Sequence, residues 1–257
     1  MKFQQNLMIS KSKSFVNIMS FENISFIILQ NPLLNSLYKF DFGFKKPKIW
    51  VSHFNTKTIL NEQQLIFLKT SGLSNAHPKR KIEYIASREL IKLALSYEYS
   101  ISVVIKKGKN GEPLWPENYN GSISHNKKYS AIIIADKNWI IGIDIESILS
   151  NMSTNSIINI IFNQNEKNII STCCSSQINF FVTIIFSAKE TLYKAFYKEE
   201  YENFSIRVFE FIKFSYNNTL IFKLTNNTPE DLYYYKDIMV NYSIFNEEVI
   251  TWFSLER

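Results

Sequence analysis

The chain has 257 residues, 46% hydrophobic and 15% aromatic, which allows a sizeable core and excludes a disordered chain. Its net charge of +6 favours an acidic partner and leaves nucleic acid, a phosphate ligand and an acidic protein open. The two cysteines, Cys173 and Cys174, are adjacent, which excludes a disulfide framework and is too few for a zinc site. Residues 1–20 are polar and irregular. Ile24–Leu29 reads as a first strand; it is too short to span a bilayer and lacks a small-residue cleavage signature. No membrane span and a cytoplasmic location are therefore expected.

Asn61–Lys69 reads as a short helix capped by Asn61. Pro78 suits the first turn of the next helix. There Ile82, Ile85, Leu90, Leu93 and Tyr97 recur at helical period, and Arg80 and Arg88 fall off that stripe. Ile101–Ile105 is strand-like, and 107–113 is a loop rich in turn residues that Trp115-Pro116 continues as loop packing. Gly121-Ser122-Ile123-Ser124-His125 leads to an apolar strand, Tyr129–Ala135. Asp136-Lys137-Asn138 looks like a hairpin turn into Trp139–Glu146. Ile157–Asn168 and Gln177–Tyr197 read as helices, and Val208–Phe214, Leu220–Leu224, Met239–Phe245 and Val249–Leu255 as a closing antiparallel meander. This interleaving indicates an α+β fold.

Two segments carry the chemistry. In Gly142-Ile143-Asp144-Ile145-Glu146 the carboxylates alternate with isoleucines, so a strand projects both from one face and turns the isoleucines to a core. In 186–194, Phe-Ser-Ala-Lys-Glu-Thr-Leu-Tyr-Lys, a helix puts Glu190 and Lys194 on one face. Taken singly, the first pattern is more often a solvated strand face and the second a helical ion pair. Together they offer three carboxylates for a hard divalent cation and a lysine for a phosphate. Gly142 shares the carboxylates' face, where a missing side chain leaves room for a ligand.

The ordered set Gly-Ser-Ile-Ser-His (121–125), Gly-Ile-Asp-Ile-Glu (142–146) and Phe-Ser-Ala-Lys-Glu-x-x-x-Lys (186–194) resembles the 4'-phosphopantetheinyl transferases. Lys-Arg-Lys-x-Glu-Tyr-x-x-x-Arg (79–88), Glu-Pro-Leu-Trp-Pro (112–116) and Ser-Ile-Ser-His are closer to the enterobactin-synthase type. The resemblance runs from about residue 75 to 198. It implies transfer of the 4'-phosphopantetheine arm of coenzyme A to a serine of an apo carrier protein, releasing adenosine 3',5'-bisphosphate. It implies a pseudo-dimer of two similar α+β halves, placed here near 1–135 and 136–257, acting as a monomer.

Carried over residue by residue, Asp144, Glu146 and Glu190 become ligands of Mg2+ (or Mn2+), and Glu190 also the base. Lys194 becomes the cation on the leaving oxygen. Arg80, Arg88 and His125 match coenzyme A phosphate contacts, and Ser124 and Lys189 are carried over with them. One position departs from the subtype: Gly111 stands where a basic residue is common, so Lys109 is the nearby substitute. His53 and His77 read as structural or surface residues. The carrier is expected to meet this basic chain through its acidic face.

Other classes predict different features. A nucleic-acid binder needs a basic stripe with stacking aromatics, whereas the basic residues here are scattered apart from Lys79–Lys81, so no nucleic acid is expected. A metal-dependent phosphohydrolase usually recruits more Asp and His ligands. A carrier-binding pseudoenzyme would not keep Asp144, Glu146, Glu190 and Lys194 intact. The small fatty-acid-type holo-synthases are about half this length.

Overall fold

The structure, a computed structural model, describes residues 24–27, 33–43, 46–108, 112–197, 204–225, 228–232 and 234–257. Its strands are β1 (Ile24–Ile27), β2 (Leu34–Asp41), β3 (Lys48–Phe54), β4 (Tyr119–His125), β5 (Tyr129–Asp136), β6 (Trp139–Ser147), β7 (Phe209–Ser215), β8 (Thr219–Leu224), β9 (Ile238–Phe245) and β10 (Glu248–Glu256). They form two five-stranded sheets, ordered β1-β2-β3-β5-β4 and β6-β10-β9-β8-β7, with antiparallel pairings. Helices α1 (Glu62–Thr70) and α2 (Pro78–Tyr99) lie between β3 and β4 in sequence. α3 (Asn151–Ile160), α4 (Gln164–Ser171) and α5 (Ile178–Phe196) lie between β6 and β7. The fold is α+β, with each sheet covered by one long helix, α2 on the first and α5 on the second.

Local chemistry sets the helix ends. Asn61 caps α1 in a reciprocal box with Gln64. His77 caps α2 by accepting from the Lys79 N–H, and Pro78 occupies the first turn. Asn163 caps α4 in a second box with Glu166. That cap breaks the helix expected over Ile157–Asn168 into α3 and α4, because a residue whose side chain bonds backbone N–H groups starts a new helix.

Two further expectations are corrected. Asp136–Asn138 is not a hairpin: β5 and β6 do not pair, and the turn passes the chain from one sheet to the other. Ile101–Ile105 is not a strand. Ile101, Val103 and Ile105 pack onto the core under α2, and among the described residues the segment pairs with no strand, Lys107 and Pro113 forming an isolated bridge.

Three apolar clusters result. One lies under α2, one under α5, and the third between the sheets. The third joins Phe40, Val51, Ala131 and Ile133 of the first sheet to Ile141, Ile143, Ile145 and Trp252 of the second. The isoleucines of β6 therefore face the opposite sheet, and the alternation of the strand turns Gly142, Asp144 and Glu146 the other way. No single helix among the described residues is long and apolar enough to cross a membrane.

Candidate active site

A cleft of about 530 Å³ lies between α2 and α5, where strands of the two sheets meet. Its walls come from α2 (Arg80, Tyr84, Ser87, Arg88) and α5 (Glu190, Lys194), and its floor from β4 (Ile123, Ser124, His125) and β6 (Asp144, Glu146). β4 and β6 belong to different sheets, and serine side chains join them in place of a strand ladder. The Ser122 hydroxyl accepts from the Ile143 N–H at 3.2 Å, and Ser124 donates to Asp144 Oδ1 at 2.7 Å. The Ser-x-Ser spacing is thus a seam between halves, since period two puts both hydroxyls on the face that meets β6.

On the acidic side, Asp144 is 2% exposed. Its Oδ1 also accepts from Lys194 Nζ at 2.7 Å, and its Oδ2 from Ser187 at 2.8 Å. Glu146 is pushed up to about 8 by burial and then by the Asp144 charge, partly offset by Lys194. Burial, with Asp144 beside it, raises Glu190 as well. This side of the cleft thus brings together three carboxylates against one lysine. Among the described residues no three acidic, histidine or cysteine side chains are gathered into a ready-made metal cage. The donors nevertheless fit a hard cation: they are all carboxylate oxygens, and the burial and neighbouring Asp144 that raise Glu146 and Glu190 are a cost a bound cation would offset.

The opposite wall is basic. Arg80 bonds His125 Nε2 through Nη1 and lies 3.6 Å from Glu83. His125 is pulled down to about 4, first by burial and then by Arg80 and Lys194, so it is neutral at physiological pH. Arg88 stacks its guanidinium 4.5 Å from the Tyr84 ring centroid. It is only 8% exposed, its Nε has no hydrogen-bond partner, and burial lowers its pKa. A buried guanidinium left short of partners is a ready anion contact. Lys107 completes this wall. It was not singled out from the sequence, where it is one lysine of a basic loop; the bridge to Pro113 turns it to the cleft.

The cleft therefore collects Arg80, Arg88, Ser124, His125, Asp144, Glu146, Glu190 and Lys194. Lys109 lies outside the described residues. Lys189 is a correction. It is 0% exposed, pairs with Glu166 at 2.6 Å and donates to the Phe209 carbonyl at 2.6 Å. Glu166 also accepts from the Phe211 N–H, so the pair rivets α4, α5 and β7 together and does not reach the cleft. One position before Glu190, a helix turns its side chain about 100° away. Gly142 is a second correction: a Cβ there would stand 2.1 Å from the Thr191 carbonyl, so its missing side chain admits helix α5, not a ligand. Trp115 packs over Gly121, and His53 sets its ring edge-on to Tyr129, both structural contacts.

Comparison with known proteins agrees with this geometry. Residues 61–135 match the 4'-phosphopantetheinyl transferase N-terminal domain, and residues 140–251 match the 4'-phosphopantetheinyl transferase superfamily. Enterobactin synthase component D of Salmonella typhimurium is 31% identical over 159 residues, 61% of this chain and 65% of that protein. The protein of the same name from Escherichia coli K12 is 33% identical over 135 residues, 52% of this chain and 64% of its own. The 4'-phosphopantetheinyl transferase PptT of Mycobacterium tuberculosis is 26% identical over 119 residues, 46% of this chain and 52% of its own. The matched region thus spans just under two thirds of the length of the enterobactin synthase proteins.

Proposed function

The chain belongs to the 4'-phosphopantetheinyl transferase superfamily, and on that premise we propose that it transfers the 4'-phosphopantetheine arm of coenzyme A to a serine of an apo carrier protein. The observation that carries this reading is the two-sided cleft, with phosphate-binding cations on α2 and the carboxylate–lysine set on β6 and α5. A pyrophosphate bridging those walls would place its scissile bond beside Glu190 and Lys194.

The carrier's serine oxygen bonds to the phosphorus nearer the pantetheine, and the bond from that phosphorus to the bridging oxygen breaks. Adenosine 3',5'-bisphosphate leaves. Glu190 takes the hydroxyl proton, and the burial that raises its pKa makes it a stronger base than a solvated glutamate. Lys194 meets the charge that grows on the bridging oxygen. Arg80, Arg88, Lys107 and His125 orient the nucleotide phosphates. Ser124 holds Asp144 from the other half. Asp144, Glu146 and Glu190 would hold Mg2+ or Mn2+, which neutralises the pyrophosphate and polarises the breaking bond.

The carrier approaches through its acidic face, drawn by the +6 charge. The enzyme works as a cytoplasmic monomer serving siderophore, nonribosomal peptide or polyketide carriers. Mass spectrometry of apo carrier proteins incubated with coenzyme A, Mg2+ and this protein tests the proposal. Each true substrate gains one phosphopantetheine; no gain on any carrier of these classes would overturn the reading.

A further inference from the structure

Asp144 is held from beneath as well as from the cleft. Ser187, Thr191 and Thr251 are each 0% exposed, three hydroxyls buried between a helix and a sheet where alanine or valine would pack without polar cost. Ser187 Oγ lies 2.8 Å from Asp144 Oδ2 and 2.9 Å from Thr251 Oγ1. Thr251 Oγ1 lies 2.7 Å from Thr191 Oγ1. Thr251 is also the residue paired with Asp144 across the β6–β10 ladder.

Asp144 Oδ2 accepts from Ser187, and a hydroxyl has one proton to give, which sets the direction of the next bond. Ser187 gives its one proton to Asp144, so it accepts from Thr251; the Thr191 hydroxyl faces both Thr251 Oγ1 at 2.7 Å and the Thr251 carbonyl at 3.1 Å and shares its proton between them. Each hydroxyl polarises the next, and the last bond, to a charge in a dry site, is the strongest. Ser187 and Thr191 stand four apart on one face of α5, next to the face carrying Glu190 and Lys194. The same bonds therefore set both the carboxylate's orientation and the rotation of the helix above it.

We propose that Ser187 and Thr251 are positioning residues, forming with Thr191 a buried hydroxyl relay that fixes the Asp144 carboxylate and the seating of α5 for catalysis. This rests on the site assignment made under the proposed function. Neither Ser187 nor Thr251 lines the cleft, so neither is expected to touch substrate.

The test compares Ser187→Ala, Thr251→Val and Thr251→Ser in the full chain. Two readouts are used: Mn2+ bound by the enzyme alone, followed by electron paramagnetic resonance, and transfer kinetics at varied Mg2+ and coenzyme A. Losing a hydrogen bond that orients a metal ligand typically weakens affinity or activity about 10–100-fold. Ser187→Ala should weaken Mn2+ binding and raise the Mg2+ half-saturation by that factor, with the coenzyme A KM within about 3-fold. Thr251→Val should do the same to a smaller extent, and Thr251→Ser, which keeps the hydroxyl, should stay near the parent. Folded Ser187→Ala and Thr251→Val proteins that melt lower yet bind Mn2+ and turn over like the parent would overturn the relay and leave only packing. If Ser187→Ala does not fold, the Thr251→Val and Thr251→Ser pair decides. Loss of metal affinity in Thr251→Val with no transfer by the parent on any carrier would refute the transferase reading and leave the relay standing.

Discussion

Gly142→Ala separates a structural glycine from a ligand-binding one. Its Cβ would sit 2.1 Å from the Thr191 carbonyl oxygen and 3.0 Å from the Ala195 Cβ. Ordinary contact with an oxygen needs roughly 3.4 Å, so α5 must rise from β6 by about 1 Å or the strand must bow by as much. The obstacle is helix backbone, which does not swing aside as a side chain would. Overpacking of this kind costs about 1–3 kcal/mol, a fall in Tm on the order of 5 °C for a chain this size. The displaced helix carries Glu190 and Lys194, and a 1 Å misplacement of such groups costs about 100-fold in rate. We expect a folded but less stable protein with a much lower turnover number and a nearly unchanged coenzyme A KM, measured by differential scanning calorimetry and by carrier modification with varied coenzyme A. A variant with the parent's Tm and turnover but a raised KM would refute this reasoning and return Gly142 to the ligand.

Lys189→Met should destabilise the fold by about 3–5 kcal/mol, since it leaves Glu166 charged and buried, with no effect on the coenzyme A KM of the folded fraction; a raised KM at unchanged Tm would restore Lys189 to the cleft. Arg88→Ala should raise the coenzyme A KM by roughly 10–100-fold, one charge-assisted contact of about 1.5–3 kcal/mol, and cost dephospho-coenzyme A less if Arg88 reads the 3'-phosphate. Glu190→Gln should lose the base and be only partly rescued by extra Mg2+, whereas Lys194→Met should lower turnover more than coenzyme A affinity; full metal rescue of Glu190→Gln would make Glu190 a ligand alone. Denaturant titration of the ligand-free protein beside His125→Gln should isolate a stability contribution complete above about pH 6.5 and falling toward pH 4, because the unfolded chain binds a proton that the folded His125 refuses; the raised Glu146 acts in the opposite sense in both proteins and cancels in the comparison. That loss is at most about 3 kcal/mol, and His125→Gln should remove it.

Much of the second half was legible in the sequence. α5 and the closing meander follow from periodicity, and β6 from the alternation of isoleucines with Gly142, Asp144 and Glu146, whose polar face carries the site although both faces are covered. The N-terminal strands β2 and β3 were not legible. β3 is buried on both faces, between α2 and the second sheet, and such a strand shows no alternation. The helix break at Asn163 was signalled by the Asn-x-x-Glu capping pattern, which periodicity alone passes over.

For the site, the sequence by itself determined which residues could do the chemistry. Asp144 and Glu146 share a strand face, and Glu190 and Lys194 a helix face, because backbone geometry fixes those spacings whatever surrounds them. Only the tertiary structure decided what each group meets. It seated Lys194 on Asp144, stitched Ser124 across the seam between the halves, and turned Lys107 into the cleft. It also buried Lys189 against Glu166 and filled the space over Gly142 with a helix carbonyl. These residues lie on different elements, and local periodicity says which way a side chain points but not what stands opposite it. That is set by the packing of two sheets and two long helices around three separate apolar clusters.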